Sequence, residues 1–260
     1  PRTDITAYDL YLLAQQKAAL NTMAGFRDAA DALDKALAID PDFVPALAWR
    51  GYYELMMSDG EGAAGDIPAE EAITRADQWT SRALKLDPDS ADAIFARAGL
   101  FSMGFDAGTR NKAGALYERA IAIKPNFALA RNDYGYWLND QKRFDEAIAQ
   151  FEVALAHDPA QSDVNTNLLA YYGRMGDFDK ARAQVDRWLA ISPENPGPYA
   201  VKALLQEMSG GLAEGLKLRR KVLAMAPHDP RASRDRRFAE LGLGEFQSVL
   251  KAEEPYMRYR

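Results

Sequence analysis

The sequence contains no cysteine, which excludes a disulfide scaffold, a thiolate metal site and a cysteine nucleophile. Histidine is nearly absent, with only His157 and His228, so a multi-histidine metal centre is excluded as well. No apolar run approaches the roughly 18 residues of a membrane-spanning helix, and no N-glycosylation sequon occurs. No signal peptide follows Pro1, which predicts a fragment of a longer chain or a processed product. The expected compartment is the cytoplasm, or the periplasm if the full-length protein has a membrane segment. The formal net charge of −6 over 260 residues argues against bulk nucleic-acid binding. With 48% hydrophobic and 10% aromatic residues, the chain is too apolar for disorder and long enough to bury a full core.

What the sequence does have is a rhythm. Prolines recur at 41, 88, 125, 159, 193 and 227, at spacings of 47, 37, 34, 34 and 34 residues. Twelve residues before each stands a small residue: Ala29, Ala76, Ala113, Ala147, Ala181 and Gly215. Ten residues after come Gly51, Ala98, Gly135, Leu169 and Ala203. Fifteen before, four units carry Phe26, Phe144, Phe178 or Leu212, and glycine precedes three of these closely (Gly25, Gly176, Gly210–Gly211).

Between prolines lie two apolar-periodic stretches of about a dozen residues, the length of amphipathic helices. Leu116, Ala120 and Ile123 recur at helical steps, as do Ile148, Phe151 and Leu155. Small residues at fixed points let helix backbones approach, and glycine before the bulky residue turns the chain. The residue–proline pair stops the next helix. Each unit is then a helical hairpin that buries its apolar face only by stacking on a neighbour.

These residues resemble the tetratricopeptide repeat over nearly the whole chain. The clearest unit has Tyr134-Gly135, Leu138, Ala147, Phe151, Ala154 and Pro159 at family positions; the next puts Trp188 where a small residue is usual. The resemblance implies an all-α, right-handed superhelical α-α solenoid of about six to seven hairpins. Approximate repeats are 7–41, 44–88 with an inserted loop at 58–70, 91–125, 128–159, 162–193, 196–227 and a partial capping unit at 230–260, which carries Arg237 and Gly244-Glu245-Phe246. The insert, three extra residues near Gly104–Asn111 and the opening AYDLYLLAQQ resemble the repeat tails of bacterial adenylate cyclase-type and winged-helix regulators.

The resemblance further implies that first helices line a concave face holding a peptide or partner protein. Carried over residue by residue, that face includes Tyr52, Phe95, Asn132, Tyr136, Asn139, Thr166, Asn167 and Tyr199. Asn amides pair with an extended backbone, and aromatic rings give apolar contact at low ordering cost. Phe95 and Tyr199 also suit packing between repeats. The cation set that some members use to hold a terminal carboxylate is absent: Asn132, Gly197 and Val201 stand in its places. Self-association, as a homo-oligomer, and sensing of a small ligand are the alternative functions.

Chemistry is hard to find. His157 sits at a helix end, where a cation suits the dipole, and His228 lies in a connection. Gly210–Lys217 lacks the Gly-Lys-Ser/Thr ending of a phosphate loop. Asp59, Glu61, Asp66 and Glu70 lack the ligand spacing of a calcium loop and read as a solvated acidic insert. Asp133 and Asp163 are the carboxylates an enzymatic reading would use, yet nothing pairs them with a base or metal. The sequence therefore predicts no enzyme, no cofactor and no metal. From Gly215 to Arg260 eleven Lys and Arg face six Asp and Glu, a basic end that reads as a solvated cap.

Overall fold

Residues that precede the recurrent prolines leave the helix where proline forces them to. Asp40, Asp87 and Ser192 have φ of −130°, −138° and −132°, the extended region to which a following proline restricts its neighbour. Aspartate at this place does a second job. Its Oδ1 accepts the N–H two residues on, at Asp42 (3.1 Å), Asp89 (3.0 Å) and Ala160 (3.3 Å), closing an Asx turn after the helix.

The computed structural model describes residues 6–19, 21–59, 65–104 and 106–226; the expected seventh unit, His228 and most of the basic end lie outside them. Among the described residues there are twelve helices: α1 (Ala7–Ala18), α2 (Met23–Ile39), α3 (Val44–Met56), α4 (Ala69–Leu86), α5 (Ala91–Ser102), α6 (Ala107–Ile123), α7 (Ala128–Asp140), α8 (Phe144–His157), α9 (Ser162–Arg174), α10 (Phe178–Ile191), α11 (Pro196–Met208) and α12 (Leu212–Met225). The fold is an all-α repeat solenoid. Helix starts are marked by side-chain caps: Thr6, Thr22, Ser90, Asp106 and Asp177 each accept a first-turn N–H.

The turns inside the hairpins hold one correction. Gly176 (φ +74°) and Gly210 (φ +86°) adopt the left-handed backbone expected of them. Gly25 does not: it is buried inside α2, where its N–H bonds to the Thr22 cap at 3.0 Å. Asn21 (φ +49°) makes that turn, and Lys142 (φ +61°) makes the one before α8. Asparagine tolerates this region through its short polar side chain; lysine holds it at some cost in strain.

The chain forms two compact units that divide between Gln150 and Phe151. In the first, α1 packs on α2, α3 on α4 and α5 on α6, while α2–α3, α4–α5 and α6–α7 join successive pairs. Ala29, Ala76, Ala98 and Ala113 are fully buried at these crossings, as their spacing requires. The insert after α3 is pinned at both ends. Ser58 and Ile67 form an isolated bridge, Asp59 Oδ1 accepts the Ala69 N–H that opens α4 at 2.8 Å, and Asp66 meets Arg27 at 2.6 Å. In the second unit α9 packs on α10, α10 on α11 and α11 on α12, around Val164, Ala181, Val185, Trp188 and Ala203. There Arg219, buried at the position that holds Phe151 in the clearest unit, grips Glu207 with two bonds of 2.6 Å.

Candidate partner-binding faces

In the first unit the face expected to hold a partner is largely filled by the chain itself. Phe95, at the middle of α5, is fully buried. Its ring lies 4.9 Å from Tyr52, 4.8 Å from Phe127, 5.9 Å from Trp49 and 6.3 Å from Tyr117. Tyr52 is buried too, and its hydroxyl donates to Asp133 Oδ2 at 3.1 Å. That bond joins α3 to α7 across the intervening hairpin of α5 and α6. Burial, then the Asp133 carboxylate, pushes the Tyr52 hydroxyl well above its ordinary pKa, so it stays a neutral donor.

Asn132 is buried beside it, with Nδ2 donating to Asp133 Oδ1 at 3.3 Å. Tyr52 and Asn132 are thus buried here rather than on the partner-facing surface expected of them, and Phe95 takes the second of its two expected roles, packing between repeats. The physical cause is the reach of the rings: large side chains from alternate hairpins meet over α5 and exclude solvent from the space between. Asp133, considered above as a catalytic acid, is the acceptor of this closure.

The same helix leaves part of the expected set open. Tyr136 is 43% exposed and Asn139 is half-buried on α7, three residues apart and so on one face. Trp137, between them, turns away, its indole N–H donating to the Arg110 carbonyl at 2.8 Å.

In the second unit Thr166 is exposed and Asn167 half-buried on α9. The Thr166 hydroxyl donates back to the Ser162 carbonyl at 2.7 Å. The neighbouring Asn165 escaped the sequence reading. It is fully buried, donates to the Pro159 and Gln161 carbonyls at 3.0 and 2.8 Å, and accepts from Gln184 at 2.7 Å. Its only sequence signal is its place in an Asn-Thr-Asn run, where periodicity puts it one step toward the core. Tyr199 is half-buried, donates to the Pro193 carbonyl at 3.0 Å and carries Lys221 over its ring at 3.9 Å. It serves packing between helices, as one of its two expected roles. The side chain of Asp163 lies outside the described residues. No described helix is long and apolar enough to cross a membrane.

A family model described as the tetratricopeptide repeat matches residues 138–205, the stretch from the end of α7 into α11. The matched stretch is tetratricopeptide repeat. Among curated proteins, the array is 27% identical over 162 residues to cellulose synthase operon protein C of Xanthomonas axonopodis pv. citri, covering 58% of this chain and 10% of that protein. It is 31% identical over 130 residues to human tetratricopeptide repeat protein 6, covering 47% of this chain and 23% of that one. The array thus spans a minor part of the length of the curated relatives it matches. Its fold is similar to that of PilW, a type IV pilus biogenesis factor, with a TM-score of 0.60 at 16% identity over 88% of this chain and 97% of that one. Pseudomonas aeruginosa pilF gives 0.57 at 22% identity, with coverages of 83% and 99%. The Cut9–Hcn1 assembly gives 0.61 at 16% identity, with coverages of 93% and 43%.

The closure across the first unit of the repeat array has a measurable consequence. Tyr52→Phe removes one buried bond to a carboxylate and is expected to lower stability by about 1–2 kcal/mol. Urea unfolding followed by circular dichroism measures it; an unchanged midpoint means the α3–α7 bond contributes nothing.

Proposed function

We propose that this domain is a non-catalytic protein-interaction scaffold whose first helices present a face to a peptide or partner protein. The observation that carries the reading is the pairing of Tyr136 and Asn139 on the open side of α7. An exposed tyrosine ring next to a side-chain amide offers apolar contact and a backbone clamp together, while Tyr134 and Leu138 on the same helix are buried. The accessible Thr166 and half-buried Asn167 of α9 offer a second polar face of similar kind. The likeness of the insert and of the opening AYDLYLLAQQ to the repeat tails of bacterial regulators supports the further reading of a regulatory segment in a longer bacterial signalling protein.

The double substitution Tyr136→Ala with Asn139→Ala is expected to keep the far-ultraviolet helical signal and to lose the proteins that copurify with the wild type. Val153→Ala, on an exposed apolar position of α8, serves as the control and keeps them. Identical captured sets from all three proteins would remove α7 as the binding face.

A further inference from the structure

α1 turns one side to the body of the first unit and the other to solvent. Tyr11 packs edge-on against Phe43 at 5.8 Å and Ala14 is fully buried, which fixes the inward side. Tyr8, Leu12 and Leu13 lie on the outward side and are 58%, 47% and 40% exposed, a cluster of large apolar side chains on neighbouring turns of one helix. Leu13 also borders a groove between α1 and α2 with a cavity of about 210 Å³. Ala32 of α2 lines it beside Leu13, and Lys17, Asp28, Asp31 and Lys35 supply its charges.

The charges of this groove differ from those between hairpins. Asp34 of α2 meets Arg50 of α3 at 2.8 Å, and Asp186 of α10 meets Lys202 of α11 at 2.7 Å, so these second-helix acids are matched by the next hairpin. In the groove only Lys17 and Asp28 approach each other, at 3.6 Å. Asp31 and Lys35, one turn apart on α2, have no ion-pair partner among the described residues. Their order along the helix decides what they fit. Asp28 and Asp31 form one end of the stripe, Lys35 the other, and the small Ala32 lies between. Lys17 offsets one of the two acids, so one net negative charge stands at one end and one positive charge at the other. A second α2 laid antiparallel on the first puts each Lys35 over the acids of its copy, while Ala32 lets the backbones approach. A wholly basic or wholly acidic segment would meet like charge at one end of the stripe.

We propose that the outward side of the α1–α2 hairpin is a homodimer interface. Two copies of this chain meet there about a two-fold axis near Ala32, Lys35 of each facing Asp28 and Asp31 of the other, with the Leu13 side chains closing over the groove. The same patch serves both copies, so the contact closes at two and builds no filament. Burial of the apolar side chains supplies attraction, and the crossed charges set the register. The interface uses neither Tyr136 nor Asn139 and stands apart from the α7 reading.

Sedimentation equilibrium of the full chain across the micromolar range tests the interface, with circular dichroism checking that every variant keeps its helical signal. The expected result is a weight-average mass that rises with concentration toward twice that of one chain, less steeply in high salt. Lys35→Asp removes the cation that each acidic end would meet. Asp28→Lys combined with Asp31→Lys makes every charge of the groove positive. Each variant alone is expected to associate at least about tenfold more weakly than the wild type. Mixed in equal amounts, the two are expected to combine, because each then carries the charge that the other lacks. Leu13→Asp is expected to abolish association of the wild-type stripe and of the mixed pair alike. A wild type that stays monomeric throughout, association that persists in Leu13→Asp or in Lys35→Asp, or reversed variants that fail to combine each overturns the assignment. Release of partners by the α7 substitutions is unaffected by any of these results, so the two readings fail separately.

Discussion

Phe95→Ala is expected to cost about 3–5 kcal/mol, a large share of the 5–15 kcal/mol that holds a typical domain together. The ring is fully buried and touches aromatic side chains of α3, α6 and the start of α7. Its neighbours are themselves rigid and cannot collapse into the space, so transfer and cavity costs add. In a stack of repeats each unit is stabilised by the ones beside it. A hole at the centre of the third hairpin therefore weakens the second and fourth as well, including the Tyr52–Asp133 bond that crosses over it. Phe95→Leu, which refills most of the volume, is expected to cost about 1–2 kcal/mol. Tyr136→Ala, on the exposed face of α7, should stay within about 0.5 kcal/mol. Urea unfolding of the three variants measures the order. A Phe95→Ala loss no larger than that of Tyr136→Ala would mean the aromatic cluster is not the core of the first unit.

The contrast between Phe95 and Tyr136 shows how far periodicity reaches. Proline spacing and the small residues twelve before each proline locate every helical pair among the described residues, because both act through local backbone rules. Leucine, alanine and phenylalanine steps such as Leu138, Ala147 and Phe151 are buried as a helical stripe requires. The inner face is different. Whether Tyr52 meets solvent or Asp133 depends on how sharply successive hairpins turn, a sum over every interface in the unit. No single window of sequence carries that sum. Residues assigned to the face by resemblance therefore split, with Tyr52, Phe95 and Asn132 covered and Tyr136 open. Turn chemistry misled in a simpler way. A glycine four residues from Asn21 drew the turn to Gly25, although asparagine is the other residue that tolerates left-handed backbone.

Trp188→Ala should be the most damaging single change in the second unit, at about 3–5 kcal/mol, and the reason is visible only with its partner. Tryptophan stands on α10 where the repeat usually has a small residue, and it is 1% exposed. Space for it comes from Gly197 at the start of α11. A Cβ there would lie 2.8 Å from the ring's Cη2 and 3.1 Å from Cζ2, inside normal contact. Large and small have been exchanged between two helices, with the packed volume kept. A glycine also makes room for a tryptophan in the first unit, where a Cβ on Gly114 would meet the Trp137 ring at 2.4 to 2.9 Å. Gly197→Ala alone is expected to destabilise by about 1–3 kcal/mol through overpacking. Combined with Trp188→Leu, which vacates the space, the alanine should be close to neutral, a coupling of about 1–2 kcal/mol in a double-mutant cycle. Denaturant unfolding of the four proteins gives that coupling directly. Strict additivity would show that the glycine and the tryptophan do not share one volume.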